Sequence, residues 1–365
     1  MTDRVSNFSA GPAVLPLPVL KQIQTDLLAL PGVGMSVLEI PHRGQAFKDI
    51  LHSAKASLKT LLNVPDNYRI LFLQGGSRLQ FSMVPLNLLR RTDKSADYVL
   101  TGSWGIKARE QAEREGTVRI AWDGKPTSYT RVPTFDQLDL DPNAAYAHIT
   151  SNETIQGVQF SSTPDTVPVP LVCDASSDFL SRPMPVQKYG LIYACAQKNA
   201  GPAGVTIVII RDDLLQRSDD SLPEYLNYQT QADNDSLYNT PPTFAVYVVS
   251  LVARWIIEQI GGLGAIGAIN RKKSQLLYRV IDESNGFFRG HARPESRSMM
   301  NVTFRLPNDP LEQEFLANAQ RCGFYNLTGH RSVGGIRASI YNAMPLADVE
   351  SLHDFMRDFS AKRLG

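Results

Sequence analysis

The sequence predicts an α/β protein, with a mostly parallel sheet flanked by helices and a smaller C-terminal α/β domain. Three observations predict it. Short apolar runs of strand length recur between residues 69 and 210, and stretches with helical periodicity separate several of them. Such alternation builds a parallel sheet covered on both faces. The tail beyond residue 263 repeats the alternation on a smaller scale, and 365 residues suit one large domain plus a smaller one.

Taken in order, residues 1–15 read as an irregular N-terminal segment. Pro18 opens a helix with the apolar stripe Leu20, Ile23, Leu27, Leu28 and Leu30, and Pro31-Gly32 ends it. Residues 36–40 read as a short extended piece. A second helix spans about 47–62, with Ile50, Leu51, Ala54, Leu58, Leu61 and Leu62 on one face. A strand at 69–73, the turn Gln74-Gly75-Gly76-Ser77-Arg78 and a helix to residue 89 follow. Next come a strand at 98–101, the turn Gly102-Ser103-Trp104-Gly105 and a charged helix through Glu115. Further strands fall at 118–121, 145–150, 169–173, 191–196 and 205–210, with 122–143 irregular. Residues 211–242 are loop-rich, and a long helix at 243–260 is broken by Gly261-Gly262. That break sets the domain boundary: 16–262 form the large domain and 263–365 the small one. The small domain holds a helix to 283, a strand at 299–305, a helix at 310–321, a strand at 335–341 and a last helix at 346–359.

Composition excludes several function classes. The chain is 43% hydrophobic and 20% charged, ordinary for a soluble globular protein. Its 37 basic and 36 acidic residues give a net charge of +1, which makes no electrostatic case for nucleic acid or an anionic membrane. The longest apolar run, 244–260, is interrupted by Arg254 and Glu258 and falls short of a membrane span. The start Met1-Thr2-Asp3-Arg4 lacks a secretory signature, and the three cysteines are an odd number without metal-ligand spacing. A cytoplasmic place, buried Cys173 and Cys195, and no metal site are therefore expected.

Polar groups fall repeatedly at strand exits. Gly75-Gly76-Ser77, Trp104, Thr154, Asp174 and Gln197-Lys198 each follow an expected strand. In parallel α/β sheets, ligands bind at the carboxyl ends of the strands. Lys198 lies between two apolar runs, so burial would lower its pKa towards the nucleophilic amine that a Schiff base needs. A lysine there could equally reach out to solvent. Each companion also has a plainer use: a tight turn at Gly75-Gly76, a helix N-cap at Asp174, core packing for Trp104, a turn cap for Thr154. Together they suit a flat, phosphorylated aromatic aldehyde with a ring nitrogen, and pyridoxal 5′-phosphate is that molecule.

Longer motifs carry a family resemblance. They are Asn7-Phe8-Ser9-Ala10-Gly11-Pro12-Ala13, Pro41-His42-Arg43-Gly44, Gln74-Gly75-Gly76-Ser77-Arg78-Leu79-Gln80-Phe81 and Asn152-Glu153-Thr154-Ile155-Gln156-Gly157. The most specific are residues 196–204 around Lys198, Tyr238-Asn239-Thr240-Pro241-Pro242-Thr243, and residues 329–342 from Gly329-His330-Arg331 through Arg337 to Asn342. On these the chain resembles the phosphoserine aminotransferases, within the class V, fold-type I pyridoxal-phosphate enzymes, over essentially its whole length. Residues 106–144 carry no part of the resemblance.

The resemblance implies roles. Lys198 would form the Schiff base and shuttle the proton. Asp174 would pair with the pyridine nitrogen, Trp104 stack on the ring and Thr154 bond its phenolic oxygen. Gly76, Ser77 and Gln197 would hold the cofactor phosphate. Asn239 and Thr240 would reach the phosphate of the partner's cofactor, which implies a homodimer with shared sites. Arg337 would clamp the α-carboxylate. His42, Arg43 and Arg78, with His330 and Arg331 donated across the dimer, would bind a phosphate or γ-carboxylate, groups that arginine forks suit. The implied reaction converts O-phospho-L-serine and 2-oxoglutarate to 3-phosphooxypyruvate and L-glutamate, in serine biosynthesis. Bacterial members of the family often also act on 4-phosphohydroxy-L-threonine in pyridoxine biosynthesis. Ser77 stands where the family often has a glycine, and Ala200 replaces a bulkier residue. The rivals are another class V enzyme, such as a cysteine desulfurase or an alanine–glyoxylate aminotransferase, and a non-enzymatic pyridoxal-phosphate binder. A desulfurase needs an exposed nucleophilic cysteine, and Cys322, before Gly323, is expected to be buried. A mere binder has no use for the cluster His330, Arg331 and Arg337.

Overall fold

The computed structural model describes residues 4–364. Residues 1–3 of the N-terminal segment, and Gly365, lie outside the described residues. Strand β1 (Ser6–Asn7) leads to helices α1 (Leu17–Asp26) and α2 (Gln45–Leu62). Then come β2 (Tyr68–Leu73), α3 (Gly76–Leu88), β3 (Ser95–Leu100), α4 (Ser103–Ala112) and β4 (Thr117–Asp123). β5 (Tyr146–Thr150), the short pair β6 (Asn152–Glu153) and β7 (Val158–Gln159), β8 (Leu171–Asp174), β9 (Leu191–Cys195) and β10 (Thr206–Arg211) complete the strands of this region. Helices α5 (Asp212–Leu215), α6 (Tyr228–Asp233), α7 (Thr243–Trp255) and α8 (Leu263–Asp282) follow. The tail holds β11 (Arg289–Gly290), β12 (Asn301–Arg305), α9 (Asp309–Arg321), β13 (Phe324–Tyr325), β14 (Ile336–Ser339) and α10 (Leu346–Leu364).

The central sheet has seven strands in the order β2-β10-β9-β8-β5-β3-β4. β10 runs antiparallel to both neighbours, and the remaining pairs are parallel. The alternation of side chains along a strand divides its apolar residues between two faces. In β2, Ile70 and Phe72 join a core with α2 and α7, whereas Leu71 and Leu73 join a core with α3 and α4. β10 repeats this, with Ile207 and Ile209 in the first core and Val208 and Ile210 in the second. A third cluster gathers Phe8 with apolar residues of α8, β12, α9, β14 and α10.

The N-terminal segment links that third cluster to the end of the large sheet. β1 pairs with β13, Ser339 N–H donates to the Phe8 carbonyl at 3.3 Å, and the Tyr341 hydroxyl donates to the Ala10 carbonyl at 3.0 Å. A little further on, Ala13 N–H donates to the Gln197 carbonyl at 2.9 Å, beside Lys198.

Some expectations need correction. Residues 36–40 form turns and no strand, held by Ser36 through its contacts with Leu38 and Glu39. The loop-rich stretch 211–242 contains α5 and α6. The long helix continues past α7 through a π-helical turn, Ile256–Ile260, and Gly261 and Gly262, with φ of 90° and 92°, stop it. Thr243–Ile260 is long and apolar enough to cross a membrane, with a mean hydropathy of 1.4, contrary to the shorter run expected. Half of it is buried in the fold, where Val246, Val248, Val249 and Val252 pack in the first core.

Candidate active site

A cavity of about 420 Å³ opens where the parallel strands end. Its walls come from the segments after β2, β3, β5, β8 and β9, with Ala10 and Gly11 from the N-terminal segment and His330 and Arg337 from the tail. Gly76, Ser77, Arg78, Trp104, Thr154, Asp174, Gln197 and Lys198 all line it, so residues far apart in sequence converge on one space.

Lys198 sits in the turn that leaves β9. The turn is closed by Ala200 and Gly201 N–H donating to the Ala196 carbonyl at 3.1 and 2.8 Å. Gly201 is needed there, because a Cβ would meet Val249 of α7 at 2.9 Å. The Lys198 amine donates to Thr154 Oγ1 at 2.8 Å and to Ser177 Oγ at 2.7 Å. Burial is the largest effect and pulls its pKa down, but Tyr341, Cys195, Asp174 and Glu153 together raise it, and the net shift is upward. This corrects the expectation of a lowered pKa: the burial is real, and the surrounding acids overcome it.

Asp174 is the last residue of β8 and 4% exposed. Ser176 N–H donates to its Oδ1 at 3.0 Å, and the Ser176 hydroxyl donates to the same oxygen. Burial pushes the carboxyl up, Lys198 and Ser176 pull it down, and the balance is upward. A cationic ring nitrogen would reverse that balance and hold Asp174 as the anion. The Ser176 hydroxyl also lies 2.6 Å from that of Ser77, at the start of α3.

The start of α3 is open to an anion. Gly75 and Gly76 have φ of 88° and 66°, and no side chain caps the helix. A Cβ on Gly75 would strike Leu79 at 2.5 Å, whereas nothing lies within 4 Å of the Cβ position at Gly76. Unpaired N–H groups and the helix dipole therefore face space that a phosphate can fill. Trp104, in the first turn of α4, has a buried Nε1 with no partner among the described residues, and its ring centre lies 6.0 Å from Lys198 Nζ.

Arg78, His330 and Arg337 line the same space, and Lys107 and Arg331 lie close to His330 outside it. Arg78 Cζ and Lys107 Nζ lie 5.5 and 4.7 Å from the Trp104 ring centre. Arg337, partly buried on β14, has its pKa lowered by burial. Burial, together with Arg337, Lys107 and Arg331, also lowers that of His330. Among the described residues, Arg78, Lys107, Arg331 and Arg337 form no ion pair with a carboxylate. Such a cluster favours a ligand with more than one negative charge.

Not every expected residue meets the cavity. His42, Arg43, Asn239, Thr240 and Arg331 are not among its lining residues. Instead Thr240 Oγ1 lies 3.4 Å from His42 Nδ1, and Gln74 Nε2 donates to the Thr240 carbonyl at 3.0 Å. His330, which the resemblance assigns to the partner's site, lines the cavity of its own chain, because the loop before β14 folds back over it. Cys322 is exposed, contrary to expectation, at the end of α9, and it is not among the residues lining the cavity. Sequence reasoning passed over Ser176, Ser177 and Glu153, although each sits within three residues of an expected site residue. Plain serines carry no signal until folding turns them onto Lys198 and Asp174.

The model of the aminotransferase class-V family matches residues 5–352. The chain belongs to that family, and it is an aminotransferase whose donor set, described above, fits pyridoxal 5′-phosphate. Within the family, its relatives are phosphoserine aminotransferases. The one from Rhodopirellula baltica is 55% identical over 361 residues, which cover 99% of this chain and 96% of that protein. The solved phosphoserine aminotransferase of Bacillus circulans subsp. alkalophilus superposes with a TM-score of 0.97 at 48% identity, covering 99% of this chain and 100% of that one. A pyridoxal-phosphate-bound phosphoserine aminotransferase from Trichomonas vaginalis gives a TM-score of 0.91 at 41% identity, covering 97% and 100%.

Proposed function

We propose that the chain transfers the amino group of O-phospho-L-serine to 2-oxoglutarate, giving 3-phosphooxypyruvate and L-glutamate. The observation that carries this reading is one cavity that joins a strand-end lysine to cations without carboxylate partners. Both amino acids bring an α-carboxylate and a second anionic group, so both need such a cluster. 4-Phosphohydroxy-L-threonine presents the same two anions and is a further substrate on this reading.

Pyridoxal phosphate, when bound, supplies an aldehyde that accepts the amino group and a ring that draws electrons from the substrate's α-carbon. Lys198 Nζ would be the cofactor's attachment point, and its amine would serve as the base that carries the substrate's α-proton. Thr154 and Ser177 hold that amine in place. Asp174 would hold the proton of the ring nitrogen. Gly76, Ser77 and Gln197 would hold the cofactor phosphate, and Trp104 would stack on the cofactor ring. Arg337 binds the α-carboxylate, and Arg78 and His330 the distal anion. His42, Arg43, Arg331, Asn239 and Thr240, away from this chain's own cavity, suit a homodimer in which loops of one subunit complete the site of the other.

The test is a half-reaction assay that compares phosphoserine, alanine and cysteine as amino donors to the loaded enzyme. Phosphoserine is expected to react fastest. Equal rates for the three would overturn the substrate assignment.

A further inference from the structure

Helix α4 begins without a cap of its own. Gly102 precedes it and has no side chain, yet the first N–H groups of the helix are buried or partly buried. Two residues of the β6–β7 hairpin take over. Gln156 Oε1 accepts from Ser103 N–H at 3.2 Å, and Gln156 Nε2 donates to Ser103 Oγ at 2.9 Å. Glu153 accepts from Trp104 N–H on both oxygens, at 3.1 and 3.0 Å, and from Gly105 N–H at 2.9 Å. A Cβ on Gly102 would meet Gln156 Oε1 at 2.5 Å and Glu153 Cδ at 2.7 Å, so the glycine makes room for both caps.

Glu153 is 0% exposed and, among the described residues, has no ion pair. Its charge is balanced by N–H groups and the positive end of the α4 dipole. The same hairpin carries Thr154, a partner of Lys198. One carboxylate thus ties the backbone of the ring-facing tryptophan to the strand end that holds the lysine.

We propose that Glu153 is a positioning residue of the active site: as the anion it clamps Trp104 in place over Lys198, and proton uptake releases the clamp. The assignment rests on the reading of Trp104 as the platform for the cofactor ring. The titratable groups facing Glu153 are Asp174 from the end of β8, Lys198 from the turn after β9 and Tyr129 from the segment after β4. Burial pushes the carboxyl up to about 7, against the pull of the Gly105 and Trp104 N–H groups, while Asp174 raises it and Lys198 lowers it. The clamp therefore weakens as the pH falls through neutrality.

The test uses a chain in which Trp122→Phe and Trp255→Phe leave Trp104 as the sole tryptophan. Its fluorescence is followed without cofactor from about pH 5.5 to 8.5, with and without Glu153→Gln. The expected result is a single transition near neutrality that Glu153→Gln abolishes, with the variant fixed in the low-pH signal. Glu153→Gln should also weaken pyridoxal phosphate binding by about tenfold to a hundredfold and reduce the circular dichroism of the bound cofactor. A transition that persists in Glu153→Gln, or unchanged cofactor affinity and dichroism, would overturn the proposal. Should Glu153→Gln fail to fold, the absence of any transition in the chain with Glu153 intact overturns it equally. A parent chain that takes up no pyridoxal phosphate would count against the functional reading, and the cofactor-free titration would still decide the clamp.

Discussion

On the proposed function, Lys198 and Arg337 divide the chemistry at the scale of single residues. Lys198 is held by Thr154 and Ser177, and the acidic groups around it raise its pKa against the pull of burial. On that reading, replacing its amine would remove both the attachment point and the proton carrier. Lys198→Ala is expected to lower turnover with phosphoserine by about two to four orders of magnitude. Borohydride should then no longer fix the cofactor to the chain, which peptide mapping would reveal. Full turnover in Lys198→Ala would end the transaminase reading. Among the described residues Arg337 has no carboxylate partner, and only a planar fork can grip a carboxylate with two parallel bonds. Arg337→Lys should raise KM for every amino donor by about tenfold to a hundredfold, the loss of a charge-assisted hydrogen bond. Arg78→Ala should penalise phosphoserine more than alanine. Equal penalties would remove Arg78 from the distal anion site.

At the scale of elements, α8 and the exit of β14 meet through an unusual buried lysine. Lys273 of α8 is 0% exposed and donates to the carbonyls of Ile340, Tyr341 and Met344 at 3.0, 2.7 and 3.2 Å. This fixes the exit of β14, where Asn342 N–H donates to Asn199 Oδ1 at 2.9 Å, next to Lys198. Burial lowers the Lys273 pKa from 10.5 to about 7. Above that value the folded chain binds fewer protons than the unfolded chain, so this group makes stability rise with pH from neutrality towards the unfolded pKa. Urea midpoints measured between about pH 7 and 8.5 should rise more steeply for the wild type than for Lys273→Met. Equal slopes would show that Lys273 stays charged in the fold.

At the scale of the whole molecule, the question is how loops outside the cavity contribute. Thr240 and His42 face one another beside Gln74, just before the glycine turn of α3. In a homodimer with shared sites, Lys198→Ala and Thr240→Glu would damage different halves of each site. Mixed after unfolding and refolding together, the two inactive variants should recover about a quarter of wild-type activity, because half the dimers would be hybrids with one intact site each. No recovery, with hybrid dimers detected by mass spectrometry, would place Thr240 in its own subunit's site.

Much of the molecule was legible in the amino-acid sequence, and the reason is local. Strand and helix identities follow from side-chain periodicity, as in Ile70, Leu71, Phe72 and Leu73, which serve two cores in alternation. Their places just after expected strands marked Gly76, Trp104, Thr154, Asp174 and Lys198 as neighbours in space, because a parallel sheet brings its strand ends together. Tertiary structure alone decided what depends on distant groups. The antiparallel entry of β10 left no mark on its apolar run. The rise in the Lys198 pKa comes from Tyr341, Cys195, Asp174 and Glu153, which only folding assembles. Glu153 reads in sequence as one more acid in a loop. It becomes a clamp because a helix without a cap of its own is packed against it, and hydrogen bonds between segments 48 and 49 residues apart leave no trace in local pattern.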